Sequence, residues 1–179
     1  TFVFQHDSSS FLFEYFHFAL NGSDEKQSPN VEFISFDSRK ATKSEAEELN
    51  ISTGAPVFKI YNKLGLNKKF YIVDKIVISQ QKFPGLSEEI FKNRSNTIYN
   101  LYQNKYNIFI TNCSEKLKAI SADEKISSLL NIPLNAPILK INRVGQTYNN
   151  ETIELRTSYV HTSDIDYIHS QNSTFGESI

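Results

Sequence analysis

A short phrase occurs twice in this chain. Residues 49–60 have the sequence LNISTGAPVFKI, and residues 130–141 have the sequence LNIPLNAPILKI, 81 residues further on. An acidic, helix-like run precedes each copy, and a second strand-like run follows it, with Asp74 in the first half and Glu154 in the second. Two copies of a helix-strand-strand unit predict a single pseudo-symmetric domain. A ligand-binding cleft is expected where the two halves meet.

Composition excludes several classes of protein. With 39% hydrophobic and 22% charged residues in a chain of 179, an ordinary globular domain with one core is expected. No apolar run approaches the ~20 residues of a membrane helix. The net charge of −1 argues against a nucleic-acid-binding surface in this chain. Cys113, the single cysteine, cannot form an internal disulfide, and no signal peptide opens the chain, so a cytoplasmic location is predicted.

Local patterns predict helices and antiparallel hairpins. Alternation in residues 31–38 predicts a strand with Val31, Phe33 and Ser35 on one face and Glu32, Ile34 and Phe36 on the other. Each repeat is expected to contain a hairpin, and two longer helices are expected besides the acidic helix of the first repeat. The predicted segments are hairpins at 57–78 and 137–162, helices at 96–106 and 122–130, and a long strand at 107–121. Together they predict an α+β domain with a central antiparallel sheet and flanking helices.

Polar residues interrupt the apolar faces of the predicted strands. Pleating places Asn62 and Asp74 on apolar faces of the first hairpin. In the second hairpin Glu154, Arg156 and Ser158 share one face, and Arg143 lies on a face with Leu139 and Ile141. These side chains either pair with one another inside the protein or jointly hold a polar ligand. The similar placement of Asp74 and Glu154 in the two halves favours the ligand.

With these features in view, residues 11–167 resemble the UTRA domain, the effector-binding module of the HutC subfamily of GntR-type transcription regulators. The resemblance rests on the order and spacing of several short motifs. These are the two Leu-x-Ile-x-x-x-Ala-Pro phrases, FPGL at 83–86, TIYNLY at 97–102 and TIE at 152–154. It implies a chorismate-lyase-like α+β fold, a homodimer and a small-molecule effector. No cofactor is expected, and the chain is not expected to be an enzyme.

The resemblance also implies a domain organisation. Residues 1–3 match the end of the wing of a winged helix-turn-helix, and the chain contains no Met, so an N-terminal DNA-binding domain is expected upstream. Residues 1–10 would be its end plus a linker, 11–169 the UTRA domain, and 170–179 a polar tail. Operator DNA would then be bound through the domain that is absent from this chain, and the protein is expected to be a repressor.

The same resemblance implies a set of site residues. Relatives that bind sugar phosphates have arginines where this chain has Asn62 and Leu64, and a tyrosine at Val160, which argues against a sugar phosphate held in that way. The two acids and a hydroxyl at Thr97 are retained. Two acids with Arg143 and Arg156 nearby suit a zwitterion or a polar amine-bearing metabolite, so an amino acid or its derivative is the expected effector. The candidate ligand-binding residues are Phe16, His17, Asn62, Asp74, Thr97, Tyr99, Arg143, Glu154, Arg156 and Ser158.

Three alternatives remain at this stage. A chorismate-lyase-like enzyme is disfavoured because no nucleophile and base occur in a recognisable constellation. A metal site is disfavoured because His161, Asp164, Asp166 and His169 lack the spacing of metal ligands. The third alternative is a dimerisation module without a ligand, in which Asp74 and Glu154 are ion-paired and no cleft is open.

Overall fold

A computed structural model describes residues 15–23, 25, 27–95 and 97–168. The described elements, in chain order, are β1 (Phe18–Leu20), β2 (Asn30–Lys40), α1 (Lys43–Leu49), β3 (Pro56–Leu66), β4 (Lys69–Ser79), a 3₁₀ turn (Gln80–Lys82), α2 (Glu88–Lys92), α3 (Ile98–Tyr106), β5 (Asn112–Ser121), α4 (Glu124–Leu130), β6 (Pro137–Gln146), β7 (Thr152–Val160) and β8 (Ile165–Tyr167). They divide into two compact units. The larger unit spans Pro29–His161, and the smaller contains the described residues on either side of it.

The larger unit is built on a six-stranded antiparallel sheet with strand order β2-β3-β4-β7-β6-β5. Each half of the sheet is formed by a strand that is followed along the chain by a short helix and a hairpin. These are β2, α1 and β3–β4 in the first half, and β5, α4 and β6–β7 in the second. The two hairpins meet where β4 pairs with β7 at the centre of the sheet. The predicted pseudo-repeat is therefore confirmed. Each repeat also includes the strand that precedes its helix, β2 in the first and β5 in the second.

The two equivalent helices begin and end by the same local chemistry. Thr42 caps α1 in a reciprocal capping box with Glu45, and Asp123 caps α4 by accepting the backbone N–H of Ile126. Asn50 and Asn131 end the two helices in the left-handed conformation. Asparagine tolerates this conformation better than most side chains, which explains its place in both copies of the repeated phrase.

The helices α1 and α4 cover one face of the sheet. Ala46 and Leu49 of α1 pack with Val57 and Val77 of the first hairpin. Ile126 and Leu130 of α4 pack in a second cluster with Val73 of β4 and Ile138 of β6. Burying side chains of this size contributes about 1.5–3 kcal/mol each. The polar residues singled out above lie on the opposite face, since they alternate with these core residues along the strands.

The opposite face of the sheet contacts α2 and α3. Phe91 of α2 packs against Phe33 and Phe36 of β2, with ring centroids 6.3 and 6.0 Å apart. The prediction that Phe33 and Phe36 lie on opposite faces is wrong. The pairing of β2 with β3 shifts register between Phe33 and Ser35, and such a bulge returns both rings to one face.

The predicted strand at 107–121 is also too long. Asn107 ends α3 in the left-handed conformation, with φ of 54°, and pairing with β6 begins at Asn112. The hairpin turn between β3 and β4 is as expected, because Asn67 and Lys68 both have positive φ, as a two-residue turn of this kind requires.

The smaller unit contains β1 and β8, which pair antiparallel. No helix of the described ranges in either unit is long and apolar enough to cross a membrane. The predicted linker at 1–10, His169 and the predicted tail at 170–179 lie outside the described residues. The α+β class with an antiparallel sheet is confirmed.

Candidate ligand-binding site

The sheet brings most of the predicted polar residues together on one face. Asn62 of β3 lies opposite Asp74 of β4, and Asp74 lies opposite Ser158 of β7. Two residues along β7, Arg156 lies opposite Arg143 of β6. The polar positions therefore follow one another across four neighbouring strands.

Arg156 is the centre of this arrangement. Its Nη1 donates to Oδ2 of Asp74 at 3.1 Å, while Nε and Nη2 donate to the two oxygens of Glu154 at 2.8 and 3.1 Å. Ser158 donates its hydroxyl to the other oxygen of Asp74 at 2.5 Å. Burial opposes the charge of Arg156, yet Glu154 and the other neighbouring groups hold the pKa of its guanidinium well above the usual range. One arginine thus neutralises part of the charge of two buried acids.

Glu154 also receives two hydrogen bonds from helix α3. The hydroxyls of Tyr99 and Tyr102 donate to its two oxygens at 3.1 and 2.7 Å. Burial, and then the charge of Glu154, raise the pKa of both phenols well above the usual value, so both remain donors. The sequence prediction included Tyr99 and missed Tyr102. The signal was available, since residues three apart on a helix share a face.

Arg143 forms a separate ion pair, with Glu115. Its Nε and Nη2 both lie 2.6 Å from Oε1 of Glu115, which is directly opposite on β5. Cys113, two residues earlier, lies 3.9 Å from the hydroxyl of Tyr99, and burial raises the pKa of its thiol to about 11. Glu115 was not predicted, because its pairing depends on the register of β5.

Asn62 differs from the other members of the cluster. Its side chain is 1% exposed, and within the described part of the chain its buried Oδ1 has no hydrogen-bond partner. Buried side-chain polar atoms in native proteins usually have at least one partner, from the protein or from water. The side-chain oxygen of Asn62 thus lacks a hydrogen-bond donor, and Asn62 lies opposite Asp74, whose carboxylate is ion-paired.

Thr97 lies at the start of helix α3. Its hydroxyl accepts the backbone N–H of Asn100 at 3.1 Å and so caps the helix. Thr97 and Asn100 also line a cavity of about 330 Å³ formed by the loop between α2 and α3 and the first turns of α3. Thr97 therefore acts as a helix cap, while its role in ligand binding remains a prediction.

Phe16 and His17 belong to the smaller unit. Phe16 is buried there in an edge-to-face contact with Phe18, with centroids 5.6 Å apart. The ring of His17 lies 5.5 Å from that of Tyr167. Their role in ligand binding remains a prediction.

The sequence matches the family model of the UTRA domain over residues 24–166. The chain belongs to the UTRA domain family. Its structure is similar to the ligand-binding domain of a GntR-family transcriptional regulator from Bordetella bronchiseptica, with a TM-score of 0.84, 23% identity, and coverage of 88% of this chain and 98% of that one. It is also similar to the C-terminal domain of YurK from Bacillus subtilis, with a TM-score of 0.67, 20% identity, and coverage of 74% and 89%.

PhnF from Mycobacterium smegmatis is a third structural neighbour, with a TM-score of 0.73 and 18% identity. The alignment covers 82% of this chain and 64% of PhnF. No curated protein matches the chain significantly. These likenesses support the chorismate-lyase-like α+β fold expected of a UTRA domain, while its placement in the HutC subfamily remains a prediction.

The predicted equivalence of Asp74 and Glu154 within this UTRA domain is wrong. The repeat relates Asn62 to Arg143, and the strand pairs then relate Asp74, opposite Asn62, to Arg156, opposite Arg143. By the same rule Glu154 corresponds to Ile72. The hairpins differ in register by one residue, which the spacing of the repeated phrase did not reveal. Equivalent positions thus have opposite charges and form an ion pair.

The ionised groups of this UTRA domain are largely satisfied internally. The pairing of Asp74 and Glu154 with Arg156 is the arrangement expected for a dimerisation module without a ligand, whereas the unpartnered oxygen of Asn62 is not. Among the described residues, no group of three or more His, Cys, Asp or Glu side chains could hold a metal ion.

Proposed function

We propose that this chain is the effector-binding domain of a DNA-binding transcription regulator, and that its effector binds beside Asn62 and Asp74. Membership of the UTRA family supports this function, as does the similarity to a ligand-binding domain of a GntR-family regulator. The observation that carries the location is the buried, unpartnered amide oxygen of Asn62.

The energetics favour a ligand with hydrogen-bond donors. An unsatisfied buried acceptor costs about 1–3 kcal/mol, and a ligand N–H or O–H that reached Asn62 would recover this free energy on binding. Asp74 accepts one hydrogen bond at each oxygen, so its carboxylate retains lone pairs for a further donor. Glu154 already accepts four hydrogen bonds and has little capacity left.

An ammonium group bound by Asp74 and Asn62 would satisfy both of these requirements. This supports an amine-bearing metabolite such as an amino acid, with Glu154 acting as the support that orients Arg156 rather than as a ligand contact. Thr97, Tyr99 and Ser158 would form the surroundings of the site.

In the regulator, this domain would form a homodimer and be joined to an N-terminal domain that binds operator DNA. Effector and operator would then affect each other's binding by a coupling free energy of typically ~1–3 kcal/mol. The neighbour from Bordetella bronchiseptica is the ligand-binding domain of a transcriptional regulator, which supports this role over that of a lyase.

A thermal-shift and calorimetric screen tests the proposal, with amino acids, sugars, sugar phosphates and small carboxylates as probes. A compound at a hundredfold excess over Kd should stabilise the native domain by about 2.7 kcal/mol. Asn62→Leu should lose this response while its unliganded stability stays the same or rises, because an unsatisfied polar group has been removed.

Asn142→Leu is the matched control. Asn142 is exposed, lies on the opposite face of the same sheet and accepts a hydrogen bond from Thr157, so its replacement should leave binding intact. A compound that binds the wild type and Asn62→Leu equally would refute the location. If no compound binds while the protein remains dimeric, the internally paired acids favour the dimerisation module.

A further inference from the structure

Arg94 is the exception among the four arginines of the chain. Arg39, Arg143 and Arg156 each form an ion pair with a glutamate. Arg94 forms none with any residue in the described ranges. It lies in the loop between α2 and α3, where a charged group should be either solvated or paired.

The guanidinium of Arg94 is only partly satisfied. It lies 4.4 Å above the ring of Phe91, and its Nη1 donates to the backbone oxygen of Phe91 at 2.6 Å. Its Nε is buried and has no acceptor in the part of the chain that the structure describes. Burial, opposed by Tyr102 and reinforced by the nearby positive charge of Arg156, lowers the pKa of Arg94. The side chain is held in place by Phe91, with an unused donor and an uncompensated charge.

Arg94 lines the cavity of about 330 Å³ described above. Its wall also includes Ser95, Thr97 and Asn100. Asn104 donates to Oδ1 of Asn100, so the side-chain N–H groups of Asn100 are the donors that a ligand could use. The N-terminus of the nine-residue helix α3 lies in the same wall and adds a favourable potential for negative charge.

We propose that Arg94 binds an anionic group, a carboxylate or a phosphate, of the effector. The Nε and Nη2 atoms form one edge of the guanidinium, which matches two oxygens of such a group, and Nη1 is already used by Phe91. An acceptor at this edge would satisfy Nε and neutralise the unpaired charge. The inference rests on the proposed function, and it replaces the absent arginines at positions 62 and 64 with a cation from a different element.

The charges of the site agree with a ligand that has two unlike ends. Asp74 and Asn62 offer acceptors at the sheet, while Arg94 offers donors at the loop. Helix α3 links the two regions, because Thr97 and Asn100 line the cavity together with Arg94. Tyr99 and Tyr102 of the same helix donate to Glu154 of the ion-pair cluster. An amine at the sheet and an anion at the loop together define a zwitterionic effector.

Nuclear magnetic resonance of the arginine Nε–H groups tests the inference in the wild-type domain, with inorganic phosphate and acetate as separate probes. The Arg94 signal should shift and saturate with at least one of them, and the preferred probe identifies the anion. The Nε–H groups of Arg143 and Arg156 donate to carboxylates and serve as internal controls that should not move. An unchanged Arg94 signal, or an equal shift of all the signals, would overturn the inference.

Variants separate this inference from the proposed function. For a compound found in the effector screen, Arg94→Gln should weaken binding about tenfold to hundredfold relative to wild type. Arg94→Lys should recover only part of the affinity, because an ammonium lacks the two-donor edge. Arg39→Gln is the control, since Arg39 is occupied by Glu45 beside α1.

The experiments distinguish a failure of the inference about Arg94 from a failure of the proposed function. If the compound binds in an Asn62-dependent way, and Arg94→Gln binds it and its neutral amide analogue as the wild type does, the inference fails and the proposed function stands. If no compound of the screen binds at all, the proposed function fails, and the zwitterionic effector inferred here fails with it.

Discussion

Replacement of Arg156 by methionine should strongly destabilise this domain. The guanidinium donates one hydrogen bond to Asp74 and two to Glu154, which are 3% and 0% exposed. Removing one partner of a buried ion pair costs about 3–5 kcal/mol, because the charge left behind is neither solvated nor compensated. Here two carboxylates would lose the same partner. Their remaining hydrogen bonds, from Ser158 and from the two tyrosines, moderate the loss and keep the expectation within that range.

Urea denaturation at neutral pH measures the effect. A loss of about 3–5 kcal/mol is a large part of the total stability of about 5–15 kcal/mol of a typical domain. The triple variant Asp74→Asn, Glu154→Gln, Arg156→Met removes all three charges and should recover most of the loss, because no buried charge is then left unpaired. Arg39→Met provides the control, since Arg39 pairs with one acid rather than two and is more exposed than Arg156, so it should cost less than Arg156→Met.

Two results would refute this reasoning. A loss below about 1 kcal/mol in Arg156→Met would mean that the acids are solvated rather than buried. A triple variant no more stable than Arg156→Met would mean that the loss comes from packing and not from uncompensated charge. Each result can be obtained from midpoint and slope of the same denaturation curves.

Three further predictions concern other parts of the domain. Arg39 holds the pKa of Glu45 at about 2, below its ordinary value of 4.5. The stabilisation by this carboxylate should therefore be complete above about pH 4.5 and lost as the pH falls towards 2. Glu45→Gln should lower the denaturation midpoint at pH 7 and have little effect near pH 2. Gly65→Ala should cost about 1–3 kcal/mol in urea denaturation, because the new Cβ would lie 2.0 Å from a backbone oxygen, whereas Gly145→Ala, with neighbours at 3.6 Å, should cost less. The thiol of Cys113, with a pKa raised to about 11 by burial, should react slowly with a thiol reagent at pH 8 and quickly once urea unfolds the protein, and fast reaction of the native protein would contradict the burial.

The fold could be predicted largely because its information is local and repeated. The phrase at 49–60 and 130–141 contains a helix end, an asparagine that adopts the left-handed conformation, and the start of a hairpin. The bulge in β2 could not be predicted. Strict alternation fits residues 31–36 equally well, and only the contact of Phe33 and Phe36 with Phe91 shows that both rings must share a face.

The candidate site was predictable in part for the same reason. Pleating alone predicted that Asp74, Arg156 and Ser158 interrupt apolar faces of two strands, and the structure brings them together. Tyr102 and Glu115 were missed because their contacts depend on how α3 docks and where β5 begins to pair. Such tertiary relations leave no periodic signal in a single sequence. The role of the predicted residues in binding remains a prediction.

The pseudo-symmetry of the sheet has a consequence for the number of ligands. A repeat with equivalent carboxylates would create two similar half-sites, each able to bind an amine. In this chain the equivalent positions are occupied by Asp74 and Arg156, and the side chains neutralise each other across the central strands. The other pair of equivalents, Asn62 and Arg143, is also unlike, because Arg143 is held by Glu115 while Asn62 has an unpartnered oxygen. Only one of the two symmetric positions therefore retains an unmet polar requirement, and a single effector per chain is the stoichiometry that this asymmetry supports.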